Sequence, residues 1–469
     1  MPLMKLGVLF SGGKDSVFAC WRAMEKNDVA CLITLVSENP DSYMFHTPNI
    51  ARTGMQAEAM GIPLLTWTTR GVKEEELTDL EAAIAAARQR YDIQGIVTGA
   101  IESVYQAARV QRICRSQNLW CFNPLWQTDQ IGYLRLLLRE GFSVVISGVF
   151  AYPFDASWLG ATLTEERIRM LEQLEKKYKI NPSGEGGELE TFVLDAPFWR
   201  KRIEIFKTSS SYANYRGRYA IEEMHLAEKT ARMLHADSSD RAIGLPVNAS
   251  PPGNAGGASQ KTVPSNGCTL LIDLCFEKDS LSHYEFVLPI RDALQRAGAN
   301  CDVRHYDEFA SREIARYDRF VLCGTALQDN EYAEHLQHFS WITECRKPIL
   351  GICAGMQVIG AAYGGSIVPN QAIGLEEIEI VRASPLLGEP RLIEGYHLHN
   401  YAVTLPQELS LLAGRAEAAE AFQRGADPVY GIIFHPEVRN RWILERFARL
   451  QNGRKLISFE TDLCNELSH

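Results

Sequence analysis

The sequence predicts an α/β protein made of two parallel-sheet units in one chain, and three observations carry that reading. Before residue 243, short apolar runs such as "KLGVLF", "ACLITLV" and "GIVTGA" alternate with helix-like segments such as "EEELTDLEAAIAAARQRY", the βα rhythm of a parallel sheet. After residue 266, "CTLLIDLCF", "RFVLCG", "KPILGICA" and "YGIIFHP" repeat that rhythm. Between them, "IGLPVNASPPGNAGGASQKTVPSN" is rich in Pro, Gly, Ser and Asn and carries neither helical nor strand periodicity, which predicts a flexible linker. The expected organisation is a first unit over 1–140, an added segment over 141–242, a linker over 243–266 and a second unit over 267–469.

Size and composition agree with this division. A chain of 469 residues is too long for one core, and about 150 residues per domain suggests roughly three folding units. A formal charge of -10 gives no general pull toward nucleic acid, so a protein or small-molecule substrate is expected and nucleic acid is not. Eleven cysteines occur without a C-x-x-C pair, which signals neither a zinc ribbon nor a dithiol redox motif and fits reduced, cytoplasmic thiols. The apolar stretch in "MPLMKLGVLF" is too short for export, and no run approaches a membrane span, so a soluble protein with no membrane partner is expected.

The first strand ends in a glycine pair. Ser11, Gly12, Gly13, Lys14, Asp15 and Ser16 separate "KLGVLF" from the helix-like "VFACWRAMEK". Glycines let backbone N–H groups approach an anion, and a helix N-terminus adds unpaired donors and a positive dipole end, so phosphate suits this turn. A Walker A loop needs lysine after its second glycine; Gly7 and Gly12 have the spacing, but Gly13 follows. A turn capped by Asp15 or Ser16 is the plainer alternative. The order S-G-G-x-D-S resembles the PP-loop of ATP pyrophosphatases. That resemblance implies a Rossmann-like domain that cuts ATP between its α and β phosphates. Ser11, Gly12, Gly13, Asp15 and Ser16 match the loop; Lys14, at the variable position, adds positive charge. Mg2+ is expected to offset the polyphosphate charge, with ligands that the sequence does not reveal.

Two further stretches, "TGAIESVYQAARVQRIC" from Thr98 and "GEGGELETFVLDAPFW" from Gly184, resemble the diphthine ammonia ligases. Those enzymes convert the carboxylate of diphthine, a modified histidine on translation elongation factor, into the amide of diphthamide. Read from the residues alone, Glu102 to Ser116 is an amphipathic helix at the carboxyl edge of a strand, where Arg109 and Arg112 either face an anion or line a solvated face. Glu185, Glu188 and Glu190, around Gly186 and Gly187, form either a solvated turn or an acidic binding loop. Diphthine carries a quaternary ammonium group, which carboxylates and aromatic faces recognise. "FAYPFDASWLG" supplies Phe150, Tyr152, Phe154 and Trp158. Tyr152 and Trp158 are therefore expected to enclose the cation with the acidic loop, the alternative being ordinary core. A tRNA-modifying pyrophosphatase is the competing reading within the fold, and the missing cysteine pairs weigh against it.

Beyond the linker, "KPILGICAGMQVIGAAYGG" sets Cys353 between a strand and a helix, with Gly351 and Gly355 at the turn. A helix N-terminus favours thiolate, although a lone cysteine is more often a small buried residue. The pattern G-x-C-x-G-x-Q, together with His435 and Glu437 of "GIIFHPEV", resembles the class I glutamine amidotransferases. It implies a flavodoxin-like fold in which Cys353 attacks glutamine, His435 moves the proton and Glu437 orients His435. Ala354 is the expected oxyanion donor, with Gly324 of "VLCGTALQDN" as the second, although that stretch departs from the family's usual glycine-rich pattern. "GYHLHNYAV" resembles the stretch near the glutamine and brings Tyr396 and His397 forward as weaker candidates. Together the motifs imply an AMP-forming carbon–nitrogen ligase that uses ATP and glutamine and acts on a diphthine-bearing elongation factor. A nucleotide acceptor is the alternative, since GMP synthetase combines similar domains in the opposite order; so is a C-terminal half that only binds glutamine.

Overall fold

A computed structural model of the chain describes residues 3–39, 48–72, 75–229 and 266–450. The chain divides into two units, Met1–Lys261 and Thr262–His469. The expected linker lies outside the described residues except for Asn266, which opens a strand, and so do residues 230–242 of the added segment.

In the first unit, strands β1 (Lys5–Leu9), β2 (Asp28–Ser37), β3 (Leu64–Thr69), β4 (Gly95–Val97) and β5 (Trp120–Phe122) alternate with helices α1 (Lys14–Met24), α2 (Thr53–Met60), α3 (Glu75–Tyr91), α4 (Val104–Ser116) and α5 (Gln130–Arg139). The strands form a parallel sheet in the order β3-β2-β1-β4-β5. Chain order reverses between β1 and β4, so the crevice beyond their carboxyl ends is the topological switch point where α/β ligands bind. Helices cover the sheet, and Leu6 and Val8 of the central strand are fully buried, each worth about 1.5–3 kcal/mol relative to exposure. Both lips of the crevice need close backbone approach. After β4, a Cβ on Gly99 would lie 2.8 Å from the Asp15 carbonyl carbon and the Ser16 nitrogen.

The added segment contributes β6 (Ser143–Val149), α6 (Glu165–Tyr178), β7 (Leu189–Asp195), β8 (Lys201–Ala213) and β9 (Arg216–Glu228), with an antiparallel sheet in the order β7-β6-β9-β8. Asn214 and Tyr215, both at positive φ, make the two-residue turn of the long β8–β9 hairpin. Strand β7 docks directly on the glycine loop. Lys14 N–H donates to Thr191 Oγ1 at 3.1 Å, and Val193 N–H donates to the Gly12 carbonyl at 3.1 Å. From α2, the Gln56 amide ties Gly12 and Val193 together through their carbonyls at 2.9 and 2.8 Å.

The second unit begins with β10 (Asn266–Asp273), α7 (Leu281–Phe286), α8 (Leu288–Arg296), β11 (Ala299–His305), β12 (Arg319–Leu322), β13 (Ile349–Ile352) and α9 (Ala354–Ala362). It continues with β14 (Ile367–Ile380), β15 (Arg391–Val403), β16 (Leu409–Arg415), β17 (Ala418–Arg424), β18 (Val429–Ile432) and α10 (Arg441–Arg449). Its sheet has the order β11-β10-β12-β13-β18, all parallel, extended by the antiparallel strands β17, β16, β14 and β15. Adjacent β12, β13 and β18 end side by side, which converges Gly324, Cys353 and His435 from three sequence-distant strands.

The turn after β13 depends on absent side chains. A Cβ on Gly355 would collide with the Leu322 backbone carbonyl, which cannot move aside as a side chain could. Gly355→Ala is therefore expected to destabilise the second unit by roughly 1–3 kcal/mol. Gly54 on α2 faces open space without positive φ, and Gly54→Ala is expected to stabilise the first unit by roughly 0.4–1 kcal/mol. Thermal unfolding of the two variants checks both signs; equal effects would contradict the packing described.

Candidate active sites

In the first unit, the glycine loop is pre-shaped. Gly12 sits at φ 78°, where a Cβ would strike Gln56, and Gly13 caps α1 through its extended backbone without a side-chain cap. Ser16 Oγ donates to the Gly13 carbonyl at 3.0 Å and lies 3.3 Å from both Ser11 N and Ser11 Oγ, so the two serines brace the loop from within. Lys14 is buried, pairs with Asp15 at 2.9 Å and donates to the Ser183 carbonyl. Six candidate residues of one short stretch are thus held around a helix N-terminus whose dipole favours an anion.

The acidic loop comes to the same place. Glu185 Oε1 accepts from Ile101, Glu102 and Ser103 N–H, each at 3.0 Å, and so closes the N-terminus of α4. Burial raises its pKa despite those bonds. Glu190 lies deep among its neighbours but keeps some exposed area, as a wall of a concave site does. Burial first, then the charges of Asp15 and Glu185, push its carboxyl up to about 7 against the pull of Lys14. Asp15 Oδ1 is buried without a hydrogen-bond partner, and the buried Tyr133 hydroxyl has its pKa raised by burial and by Asp15. Three carboxylates and one lysine therefore share this cleft, an arrangement that suits a cation beside a bound anion. Glu188 turns the other way, accepting from Asn181 N–H at 3.2 Å while its backbone carbonyl accepts from Phe150 N–H at 2.9 Å.

The aromatic wall expected over 150–158 does not form as one surface. Phe154 and Trp158 are 0% and 3% exposed, packed edge to face, and Arg167 covers the indole at 4.8 Å. Trp158 closes the short 3-10 turn Ala156–Trp158 and is buried there as core, which composition does not reveal. Tyr152 is 54% exposed but packs against Tyr178 and Tyr215, with ring centres 5.2 and 5.0 Å away. Arg109 lies along its own helix, its guanidinium 3.3 Å from the Tyr105 ring centre and donating to the Tyr105 carbonyl.

In the second unit, Cys353 caps α9 at φ 53° and ψ −108°, a conformation that lifts its side chain clear of the turn and is strained for a non-glycine residue. Its Sγ lies 3.5 Å from the Leu398 carbonyl. His435 Nδ1 lies 2.8 Å from Glu437 Oε1, and all three side chains are buried. Burial disfavours the imidazolium, but the Glu437 carboxylate and the cysteine outweigh it and raise His435 to about 10. Gly324 is pinned at this centre: a Cβ there would lie 2.9 Å from His435 Cε1 and 3.4 Å from Cys353 Cβ. Ala354 is the first residue of α9, and the Tyr396 ring packs 6.1 Å from His435.

Several supporting residues escaped the sequence reading. Gln357, although inside the quoted cysteine motif, takes its place by linking the Tyr332 hydroxyl at 2.5 Å and the Tyr401 carbonyl at 2.8 Å. Thr191 stands inside the acidic stretch, but its contact with Lys14 spans 177 residues; Gln56 carried no signal. Among the described residues, no group of three His, Cys, Asp or Glu could hold a metal ion, and no helix is long and apolar enough to cross a membrane.

Comparisons with known proteins agree with both halves. Family models match as the diphthamide synthase N-terminal domain over residues 4–120, the diphthamide synthase C-terminal domain over 130–227 and the class I glutamine amidotransferase over 282–443. The glutamine-hydrolysing component of GMP synthase from Thermococcus kodakarensis is 34% identical over 138 residues, 28% of this chain and 66% of that one. A glutamine amidotransferase structure from Thermotoga maritima is 21% identical, covers 37% of this chain and 80% of that one, and has a TM-score of 0.30. The diphthine–ammonia ligase of Saccharomyces cerevisiae is 29% identical over 245 residues, 44% of this chain and 36% of that protein. The rat diphthine–ammonia ligase is 33% identical over 266 residues, 51% of this chain and 99% of its own length; the chain belongs to the diphthine–ammonia ligase family, with a class I glutamine amidotransferase domain following the ligase region.

Proposed function

We propose that the chain amidates the diphthine carboxylate of translation elongation factor, using ATP at the glycine loop and ammonia made from glutamine at Cys353. The observation that carries this reading is the buried Cys353, His435 and Glu437 constellation in the same chain as a ligase region built around the loop "SGGKDS". Residues 1–140 are assigned to ATP, 141–242 to the acceptor and 267–469 to glutamine, in a protein that works in the cytoplasm.

In the first half, a carboxylate oxygen of diphthine attacks the α phosphorus, and pyrophosphate departs into the donors of Ser11, Gly12, Gly13 and Ser16, with Lys14 and Asp15 beside it. The acceptor's fixed cation faces Glu190 and Glu185, with Arg109 and Tyr152 on the approach; Glu188, held on Asn181, shapes the loop, and Trp158 supports it from the core. Magnesium supplies charge neutralisation when bound, and the described residues offer no three-ligand cage for it. Magnesium would enter this reading as the counter-ion of polyphosphate.

In the second half, His435 takes the thiol proton and passes it to the departing amide nitrogen, with Glu437 holding the ring. The Ala354 and Gly324 N–H groups face the oxyanion. Water then hydrolyses the glutamyl thioester. Ammonia displaces AMP from the acyl adenylate.

The reading is tested by stoichiometry: one AMP, one pyrophosphate and one glutamate are expected per amide formed. ADP with phosphate as products would overturn it. A pH profile examines the acceptor cleft separately. Below about 7 Glu190 is protonated and neutral, and above it carries the charge that attracts a fixed cation. Acceptor affinity is therefore expected to rise between about pH 6 and about pH 8, by at most about tenfold per unit, and to be flat in Glu190→Gln. A flat wild-type profile contradicts that role.

A further inference from the structure

The loop that carries Gly324 is held by a buried carboxylate that the proposed chemistry leaves unused. Residues 323–330 leave β12 without regular structure and lead into a 3-10 helix that opens at Glu331. Thr325, Ala326, Leu327 and Asp329 of this loop are all buried. Three donors converge on Asp329: Phe276 N–H on Oδ2 at 2.6 Å, the Thr325 hydroxyl on the same oxygen, and Glu331 N–H on Oδ1 at 3.4 Å. Burying a carboxylate is unfavourable unless donors satisfy it. Burial pushes this carboxyl up to about 6, so at neutral pH it is ionised and each of the three donors meets an acceptor.

The other end of the tie is itself fixed. Phe276 lies between β10 and α7, beside Cys275, whose N–H donates to Asp273 Oδ1 at 2.9 Å and whose carbonyl lies 2.8 Å from His305 Nε2. Asp273 Oδ2 in turn lies 2.7 Å from His283 Nδ1 on α7. A further tie comes from β15, where the Asn400 side chain donates to the Leu327 carbonyl at 2.7 Å. Thr325 is the chain neighbour of Gly324, the residue packed against both His435 and Cys353. Where "VLCGTALQDN" departs from a glycine-rich pattern, it thus places a threonine and an aspartate that bond each other. A hydrogen-bond donor displaced by about 1 Å from a developing oxyanion forfeits much of its stabilisation.

We propose that Asp329 is a positioning residue for glutamine hydrolysis, acting through the Thr325 hydroxyl to aim the Gly324 N–H at the oxygen of the tetrahedral intermediate. The inference rests on the second half being an active glutaminase with Gly324 at its oxyanion. No bond is made or broken at Asp329, and no proton moves there. The oxyanion develops only after glutamine has bound, so the tie acts on turnover and not on glutamine affinity. Alkylation of the Cys353 thiol passes through no oxyanion and is independent of it.

The test separates aiming from folding. Thr325→Val keeps the shape of the side chain without its hydroxyl; it is expected to lower glutaminase kcat by about tenfold or more, with KM for glutamine within about twofold of wild type. Thr325→Ser, which restores the hydroxyl, should recover most of that loss, and the rate of Cys353 alkylation by iodoacetamide should stay within about twofold of wild type in both. Amide hydrogen exchange of the full chain reads the tie without turnover: in Thr325→Val and in Asp329→Ala, residues 321–331 are expected to exchange about tenfold faster or more, while residues 349–362 of β13 and α9 stay within about twofold of wild type. A kcat within about twofold of wild type in Thr325→Val, a KM that rises in step with the fall in kcat, no recovery in Thr325→Ser, or exchange that is unchanged over 321–331 or equally faster over 349–362 would overturn the proposal. A wild-type chain that releases no glutamate would instead refute the glutaminase reading on which the proposal rests, and the exchange result is independent of that outcome.

Discussion

Both halves of the chain set their chemistry where a parallel strand hands over to a helix, and the handover demands backbone contacts too close for a side chain. Gly99 lets the end of β4 approach the backbone at the start of α1, and Gly12, at positive φ, leaves room for the Gln56 side chain of α2. Gly351 and Gly355 do the same around Cys353, where a Cβ at either position would collide with backbone. The sheet supplies rigid strand ends a few ångströms apart, and the missing side chains leave room for a helix N-terminus to face a guest. The rest follows from that room: a helix N-terminus suited to an anion in one unit and a thiol raised on a strand-to-helix turn in the other.

The two centres use charge in opposite ways. The cleft beside the glycine loop collects Asp15, Glu185 and Glu190 around one buried lysine, which leaves the site short of positive charge, and burial raises the pKa of Glu185 and Glu190. Such a cleft suits a substrate that brings a permanent cation together with an anion. The Cys353 centre instead balances one buried acid against one buried base, and the Glu437–His435 contact keeps the imidazole in place. The strain at Cys353 is sustained by the close packing of its glycines, which ties reactivity to the stability of the second unit.

Whatever chemistry lies in contiguous residues was legible in the sequence. "SGGKDS" and "GICAG" each carry donors, turn and helix start in one stretch, because a strand-to-helix turn is local. The alternation of apolar runs likewise exposed both parallel sheets. What escaped depends on folding. Thr191 and Gln56 reach the glycine loop from 177 and 44 residues away, and no local pattern encodes such contacts. Trp158 and Tyr152 look equivalent in "FAYPFDASWLG", yet one is buried beneath Arg167 and the other joins two tyrosines at the surface. The acidic loop was visible, but its division into Glu185 on a helix N-terminus, Glu188 on Asn181 and Glu190 in the cleft follows only from where β7 docks.

The central claim is a division of labour: one unit makes ammonia, the other spends ATP to use it. Nothing in the adenylation step calls for a thiol, and the two units have separate cores. The most direct measurement is amidation of diphthine-bearing elongation factor by Cys353→Ala, with glutamine and then with ammonium salt as the nitrogen source. The account predicts no amide from glutamine and near wild-type amide from ammonium. Amide formation from glutamine by that variant, or loss with both sources in a folded protein, would contradict it.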